Sequence, residues 1–129
     1  MALVFLIARI VLGLYWLETA YKHLFKSAGL IGYAQMKGVK AAKVAVMGSG
    51  ILALLGGLSI LLGVRPHYGI VLLVIFLVGV SFKMHTYWKI EDPMQKMNER
   101  INFMKNIALA AAILALAQVA QPWVYGLNW

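Results

Sequence analysis

The sequence contains no cysteine and very few acidic residues. Without cysteine, this chain can form neither disulfide bonds nor thiolate metal sites, and dithiol redox chemistry is excluded as well. Only four residues are aspartate or glutamate, against 12 lysines and arginines, which gives a formal net charge of +8. Charged residues make up 12% of the chain, whereas about 25% is usual in soluble domains. This composition excludes an ordinary soluble domain.

The sequence consists mostly of long apolar runs. Hydrophobic residues make up 63% of the chain, and the mean hydropathy is +0.82. A helix needs about 20 mostly apolar residues to cross a hydrocarbon core of roughly 30 Å. Four runs meet this requirement, and they predict an all-α integral membrane protein, an antiparallel four-helix bundle that forms a single domain over residues 1–129. The predicted helices span about 2–21, 44–64, 68–88 and 93–121, and residues 22–43 are predicted to be an interfacial loop.

The basic residues are distributed unequally between the loops of this bundle. The first and third loops carry five each, whereas only Arg9 and Arg65 lie toward the other side. Basic residues accumulate on the cytoplasmic side of membranes, so both loops are predicted to be cytoplasmic and both termini external, in a prokaryotic plasma membrane. Membrane lipid is an expected partner and nucleic acid is not. The ten loop residues are Lys22, Lys26, Lys37, Lys40, Lys43, Lys83, Lys89, Lys96, Arg100 and Lys105.

Small residues in the second helix recur every four positions. Ser49, Ala53 and Gly57 therefore share one face, and such faces allow helix backbones to approach closely in lipid. We expect this face to hold the bundle together without taking part in any chemistry.

Two charged residues interrupt the first helix. Arg9 and Glu18 are nine residues apart, which places them about 180° apart on the helix surface, so they cannot pair. Arg9 is therefore expected to bind another helix or a lipid phosphate. Glu18 precedes Lys22 by four residues, which predicts an ion pair within the helix, although a proton-binding role for Glu18 fits equally well.

The last helix is flanked by residues with clear structural preferences. Asp92 precedes Pro93 and is followed by Gln95, a pattern typical of a capped helix start. After the last span, Trp123, Tyr125 and Trp129 are predicted to form an aromatic belt at the outer membrane interface.

Polar residues concentrate at the predicted cytoplasmic ends of the helices, where they could converge in one pocket. A histidine, a carboxylate and an ammonium group beside an aromatic ring can bind a carbonyl or phenol head group, or relay protons. This predicts a quinone-like site, although each group could equally be structural. No metal site is predicted, because the three histidines lie on both sides of the membrane. The candidate residues are Glu18, Lys22, His85, Trp88, Asp92, Lys105 and Asn106.

Several of these residues belong to motifs that resemble the DoxX family. The most specific are Met84-His85-x-x-Trp88 and Phe103-x-Lys105-Asn106, and the others are the run from Arg9 to Gly13 and the glycine-rich segment from Gly50 to Gly63. The resemblance implies a small four-helix membrane protein. It also implies a redox neighbourhood, because members were first found as subunits with quinol oxidase and thiosulfate-to-quinone systems.

The resemblance and the composition together predict an accessory subunit of a membrane oxidoreductase or respiratory complex. Such a subunit would have no intrinsic cofactor and no catalytic residue of its own, would contact a quinone, and would associate with redox-enzyme subunits or with copies of itself. One alternative is a small proton-coupled exporter that uses Glu18 as its carboxylate. The other is a purely structural bundle.

Overall fold

Five α-helices make up most of the chain in the computed structural model, which describes residues 1–127. Four of the helices are long and apolar enough to cross a membrane, and the described residues contain no strand. The predicted all-α membrane bundle is confirmed. The helices are α1 (Ala2–Phe25), α2 (Ala28–Met36), α3 (Ala42–Leu62), α4 (Pro66–Met84) and α5 (Pro93–Ala115), and single turns of 3-10 helix span Tyr87–Lys89 and Leu116–Gln118.

Helices α1 and α3 run antiparallel and pack closely because glycines of α3 lie against α1. A Cβ atom added at Gly57 would lie 2.8 Å from Trp16 Cβ, and one added at Gly50 would lie 2.9 Å from His23 Cβ. Residue numbers therefore rise along α1 as they fall along α3. Ala53 is fully buried between these glycines, which confirms that the small residues of α3 form a packing face.

A tight turn joins α3 to α4. Gly63 and Arg65 both adopt left-handed backbone conformations, with φ angles of 68° and 45°, and Pro66 begins α4. Because the turn is so short, α4 packs back against α3, where a Cβ atom at Gly56 would lie 2.5 Å from Leu73 Cδ2. Helices α3 and α4 therefore form an antiparallel hairpin.

Helix α4 ends at Met84, four residues before the predicted end at Trp88. The backbone leaves the helix at His85 (φ −117°, ψ 48°), so His85 and Trp88 do not share a helix face. The aromatic side chains explain this break, because Trp88 packs edge-on against Phe103 of α5, at 5.6 Å between ring centroids. The hydropathy pattern contains no information about such a contact between distant residues.

Helix α5 begins as predicted and ends earlier. Asp92 Oδ2 accepts a hydrogen bond from the backbone N–H of Gln95 at 2.9 Å, which is the expected N-cap. The α-helix ends at Ala115 and the following 3-10 turn at Gln118, so it does not reach Gln121.

The segment after α5 folds back onto the bundle. Trp123 is 1% exposed and packs edge-on against Phe5 at 5.2 Å, so its predicted place in an interfacial aromatic belt is wrong. The aromatic composition alone could not separate a buried indole from a lipid-facing one. Tyr125 is exposed, and Trp129 lies outside the described residues.

Arg9 binds carbonyl groups of the neighbouring elements. It is 1% exposed, and its guanidinium donates to the carbonyl oxygens of Ile60 at 3.2 Å, Leu61 at 3.1 Å and Val124 at 2.6 Å. The rings of Phe5 and Trp123 lie within 5.7 Å of its charge. Of the two partners expected for Arg9, another helix is therefore the one found.

The predicted interfacial loop contains the short helix α2. It packs on the first turns of α3 through a small apolar cluster that includes Ala34 and Val46, both buried. The helix ends that carry Lys22, Lys37 and Lys83 therefore meet on one side of the bundle, called here the basic end.

Candidate functional site

A mostly apolar cavity of about 530 Å³ lies in the half of the bundle nearest the basic end. Side chains of all five helices contribute to its wall, and Leu52, Phe76 and Val80 are among the apolar ones. Ligand cavities in proteins commonly have volumes of about 300–1,000 Å³. The side chains with polar groups that line it are Tyr15, Thr19, His23, Tyr33, Ser49, Lys83, His85 and Asn106.

Glu99 of α5 is the centre of a polar network beside this cavity. Its Oε2 lies 2.6 Å from His85 Nδ1, and its Oε1 accepts a hydrogen bond from the Tyr33 hydroxyl at 2.5 Å. Lys37 Nζ lies 3.5 Å from the same Oε1, and the Glu99 side chain is only 13% exposed. One carboxylate thus connects α2, α5 and the residue that ends α4.

The Tyr33 side chain belongs both to this network and to the cavity wall. Burial, together with the hydrogen bond to Glu99 and the negative charge of Glu99, raises the pKa of Tyr33 well above the ordinary value of 10.0. Tyr33 therefore remains a hydrogen-bond donor throughout the physiological pH range.

His23 of α1 also lines the cavity. Its Nδ1 lies 2.8 Å from the carbonyl oxygen of Thr19, one turn earlier in the same helix, and its ring packs edge-on against Phe76 at 5.4 Å. Two histidines therefore line the cavity, of which His23 is bonded to a backbone carbonyl and His85 to a carboxylate.

Two of the seven residues predicted from the sequence, His85 and Asn106, line the cavity. Glu18 and Lys22 do not, because they form the predicted ion pair, at 3.0 Å, on the outer side of α1 with side chains 63% and 60% exposed.

The other three predicted residues do not line the cavity either. Trp88 is half-exposed within an aromatic cluster, Asp92 caps α5, and Lys105 is exposed. The structure therefore does not bring the predicted cluster together in one pocket.

Sequence reasoning missed Glu99, Tyr33 and Lys37. Glu99 is one of only four acidic residues, and it precedes Asn106 by seven positions, which places the two on one face of a helix. That spacing could have indicated Glu99. Nothing in the local pattern indicates Tyr33 or Lys37, because their contact with α5 depends on how α2 folds over the bundle.

The arrangement suits an amphipathic molecule better than a metal ion. Within residues 1–127, no three side chains of the metal-binding types converge. The apolar wall can accommodate a hydrophobic ring or chain, while His85 and Asn106 can exchange hydrogen bonds with a polar head group.

Comparisons with known proteins identify the family. Neither the comparison with curated proteins nor that with solved structures gave a significant match. The family model of DoxX matches residues 4–86, a range that contains His85 and ends before Glu99 and Asn106. Since this range covers more than half of the 129 residues, the chain belongs to the DoxX family.

Proposed function

We propose that this membrane protein is an accessory subunit of a membrane oxidoreductase or respiratory complex and holds the head group of a quinone in its cavity. The observation that supports the proposal is the position of His85, which lies on the wall of a mostly apolar cavity and is bonded to a largely buried carboxylate. A histidine whose Nδ1 is bonded to a carboxylate can accept a hydrogen bond at Nε2 from a hydroxyl group of the reduced form of a quinone, and the apolar wall suits the ring and the first part of a tail.

The chain contributes binding and orientation in this proposal, and the partner contributes electron transfer. The chain contains no cysteine, and its described residues include no cluster of metal-binding side chains. A quinone supplies redox chemistry when bound, while Asn106 and His85 fix the position of its head group. We place the basic end on the cytoplasmic side of a prokaryotic plasma membrane, where basic residues accumulate.

The test is purification of the tagged protein from its native membrane in a gentle detergent, followed by mass spectrometry of proteins and extracted quinones. We expect co-purification of an oxidoreductase subunit and of quinone, and loss of the quinone in a His85→Ala variant. Glu18→Gln is the matched control, because Glu18 is exposed on the outer side of α1 and does not line the cavity. The control should retain both the partner and the quinone.

Other outcomes would contradict the proposal. Recovery of the protein alone, without quinone, would favour a purely structural bundle. Loss of drug resistance in cells expressing Glu18→Gln, with no quinone bound to the wild type, would favour a proton-coupled exporter. Equal quinone content in the wild type and His85→Ala would place any bound quinone outside this cavity.

A further inference from the structure

The hydrogen bond between His85 and Glu99 determines which imidazole nitrogen carries hydrogen. A neutral imidazole has one N–H group and one nitrogen with a free lone pair, whereas an ionised carboxylate can only accept hydrogen bonds. Because His85 Nδ1 lies 2.6 Å from Glu99 Oε2, the hydrogen of the neutral ring belongs on Nδ1. The other ring nitrogen, Nε2, is then an acceptor.

The carboxylate that orients His85 is itself held in place by α2 and the residue that follows it. Tyr33 donates to Oε1 at 2.5 Å, and Lys37 Nζ lies 3.5 Å from the same oxygen. An ammonium group can only donate, so both neighbours favour an ionised, accepting carboxylate at Glu99. The Tyr33 hydroxyl donates to Oε1 and the Lys37 ammonium forms an ion pair with the same oxygen, which leaves Oε2 for His85.

The orientation of His85 has a consequence for any molecule in the cavity. His85 lines the cavity, and Nδ1 is already engaged by Glu99, so Nε2 is the ring atom that remains for a polar contact. We propose that Glu99 is a positioning residue that presents His85 Nε2 as a hydrogen-bond acceptor, and that the cavity therefore selects the reduced form of a quinone, whose hydroxyl can donate, over the oxidised form, which has no donor. This inference rests on the proposed function, since it specifies the head group bound in the same cavity.

Binding of a matched ligand pair tests the selectivity. The wild type in lipid nanodiscs is titrated with a decyl hydroquinone under anaerobic conditions and with its dimethyl ether, which keeps the ring and the tail but cannot donate. We expect the hydroquinone to bind with a dissociation constant about tenfold lower, the effect of one hydrogen bond to a buried partner. Equal affinity would overturn the inference while leaving a ligand site in the cavity.

The dimethyl ether differs from the hydroquinone in bulk as well as in its missing donors. The Glu99→Gln variant shows which of these two differences causes the preference for the hydroquinone. A glutamine amide can donate to His85 Nδ1, which allows the ring hydrogen to move to Nε2. The ratio of the dissociation constants of the dimethyl ether and the hydroquinone should then fall from about ten toward one. Glu18→Gln makes the same chemical change at an exposed ion pair outside the cavity, and it should retain the full preference. A preference that persists in Glu99→Gln would be steric and would overturn the inference.

The tautomer of His85 gives a readout that does not depend on any ligand. Nitrogen-15 NMR of histidine-labelled protein distinguishes the two neutral tautomers from the doubly protonated ring, and the signals that are lost in His85→Ala assign His85. We expect the Nδ1–H form in the wild type and a shift toward Nε2–H in Glu99→Gln. The Nε2–H form or a doubly protonated ring in the wild type would overturn the inference, even if a ligand binds. If neither ligand binds the wild type, the proposed function fails and the selectivity fails with it.

Discussion

The hydroxyl of Tyr33 and the carboxylate of Glu99 are hydrogen-bonded at 2.5 Å although the two residues are 66 positions apart. The hydrogen bond connects the short helix α2 to α5, the last long helix of the chain. Both side chains lie at the cavity or directly beside it, so the stability of α2 and the shape of the cavity depend on the same contact.

The pH dependence of stability should reveal the Tyr33 contact. The pKa of Tyr33 is raised in the folded protein by burial and by Glu99, from an ordinary value of 10.0. A raised pKa stabilises the fold fully below the unfolded value, and this contribution is lost as the pH rises toward the folded value. We expect the Tm difference between the wild type and Tyr33→Phe to be constant from pH 7 to about pH 10 and to change only above it. A difference that changes near neutral pH would contradict this assignment.

Replacing Arg9 should destabilise the bundle. Arg9→Gln removes the charged donors of three backbone carbonyl groups in a buried position, and we expect the free energy of unfolding to fall by about 3 kcal/mol. Arg65→Gln is the control, because Arg65 is exposed, and its effect should stay within about 0.5 kcal/mol. Denaturant titration in detergent micelles measures both. Equal losses of free energy of unfolding in the two variants would show that removal of a positive charge, and not loss of the buried hydrogen bonds of Arg9, destabilises the protein.

The close approach of α3 and α4 predicts a sharp difference between two glycines of the same helix. In Gly56→Ala the added Cβ would lie 2.5 Å from Leu73 Cδ2, whereas the Cβ of Gly48→Ala would have no atom within 4 Å. Overpacking typically costs about 1–3 kcal/mol, so the first variant should unfold at a lower temperature than the wild type and the second should not. Wild-type behaviour of Gly56→Ala would mean that the two helices are further apart.

The N-cap of α5 can be tested by two substitutions at one position. Asp92→Ala removes the acceptor of the Gln95 N–H, and we expect a loss of about 1 kcal/mol. Asp92→Asn keeps an acceptor at the same place and should change stability little. If both variants lost the same stability, the negative charge of Asp92 would matter more than its hydrogen bond.

The orientation in the membrane can be tested with single cysteines, because the chain has none of its own. Lys40 near the basic end and Leu127 near the opposite end are both exposed. We expect a membrane-impermeant maleimide to label Leu127→Cys in intact cells and Lys40→Cys only after permeabilisation. The reverse pattern would place the basic end outside.

The sequence predicts the parts of this fold that depend on local patterns. Apolar run length is sufficient for the four spanning helices, and the pattern from Asp92 to Gln95 is sufficient for the start of α5. The buried state of Trp123 could not be predicted, because it depends on Phe5 at the other end of the chain. The orientation of the bundle stays a prediction, since it rests on the distribution of charge.

The same distinction applies to the candidate site. His85 and Asn106 can be identified from the sequence because they are polar residues at the borders of the third and fourth apolar runs. Glu99 could not be identified as a partner of His85, because the pairing forms only after α4 ends at Met84 and the chain turns back into α5. The predicted helix end at Trp88 was wrong for the same reason.

The contact between Arg9 and Val124 also constrains the order of events during biosynthesis. Helix α1 is translated first, and its guanidinium enters the membrane before the residues that bind it have been made. The carbonyl groups of Ile60 and Leu61 become available with α3, but that of Val124 follows only after α5 has left the ribosome. Arg9 therefore stays incompletely bonded through most of membrane insertion, and a nascent chain stalled before residue 124 should remain more accessible to quality-control proteases than the finished protein.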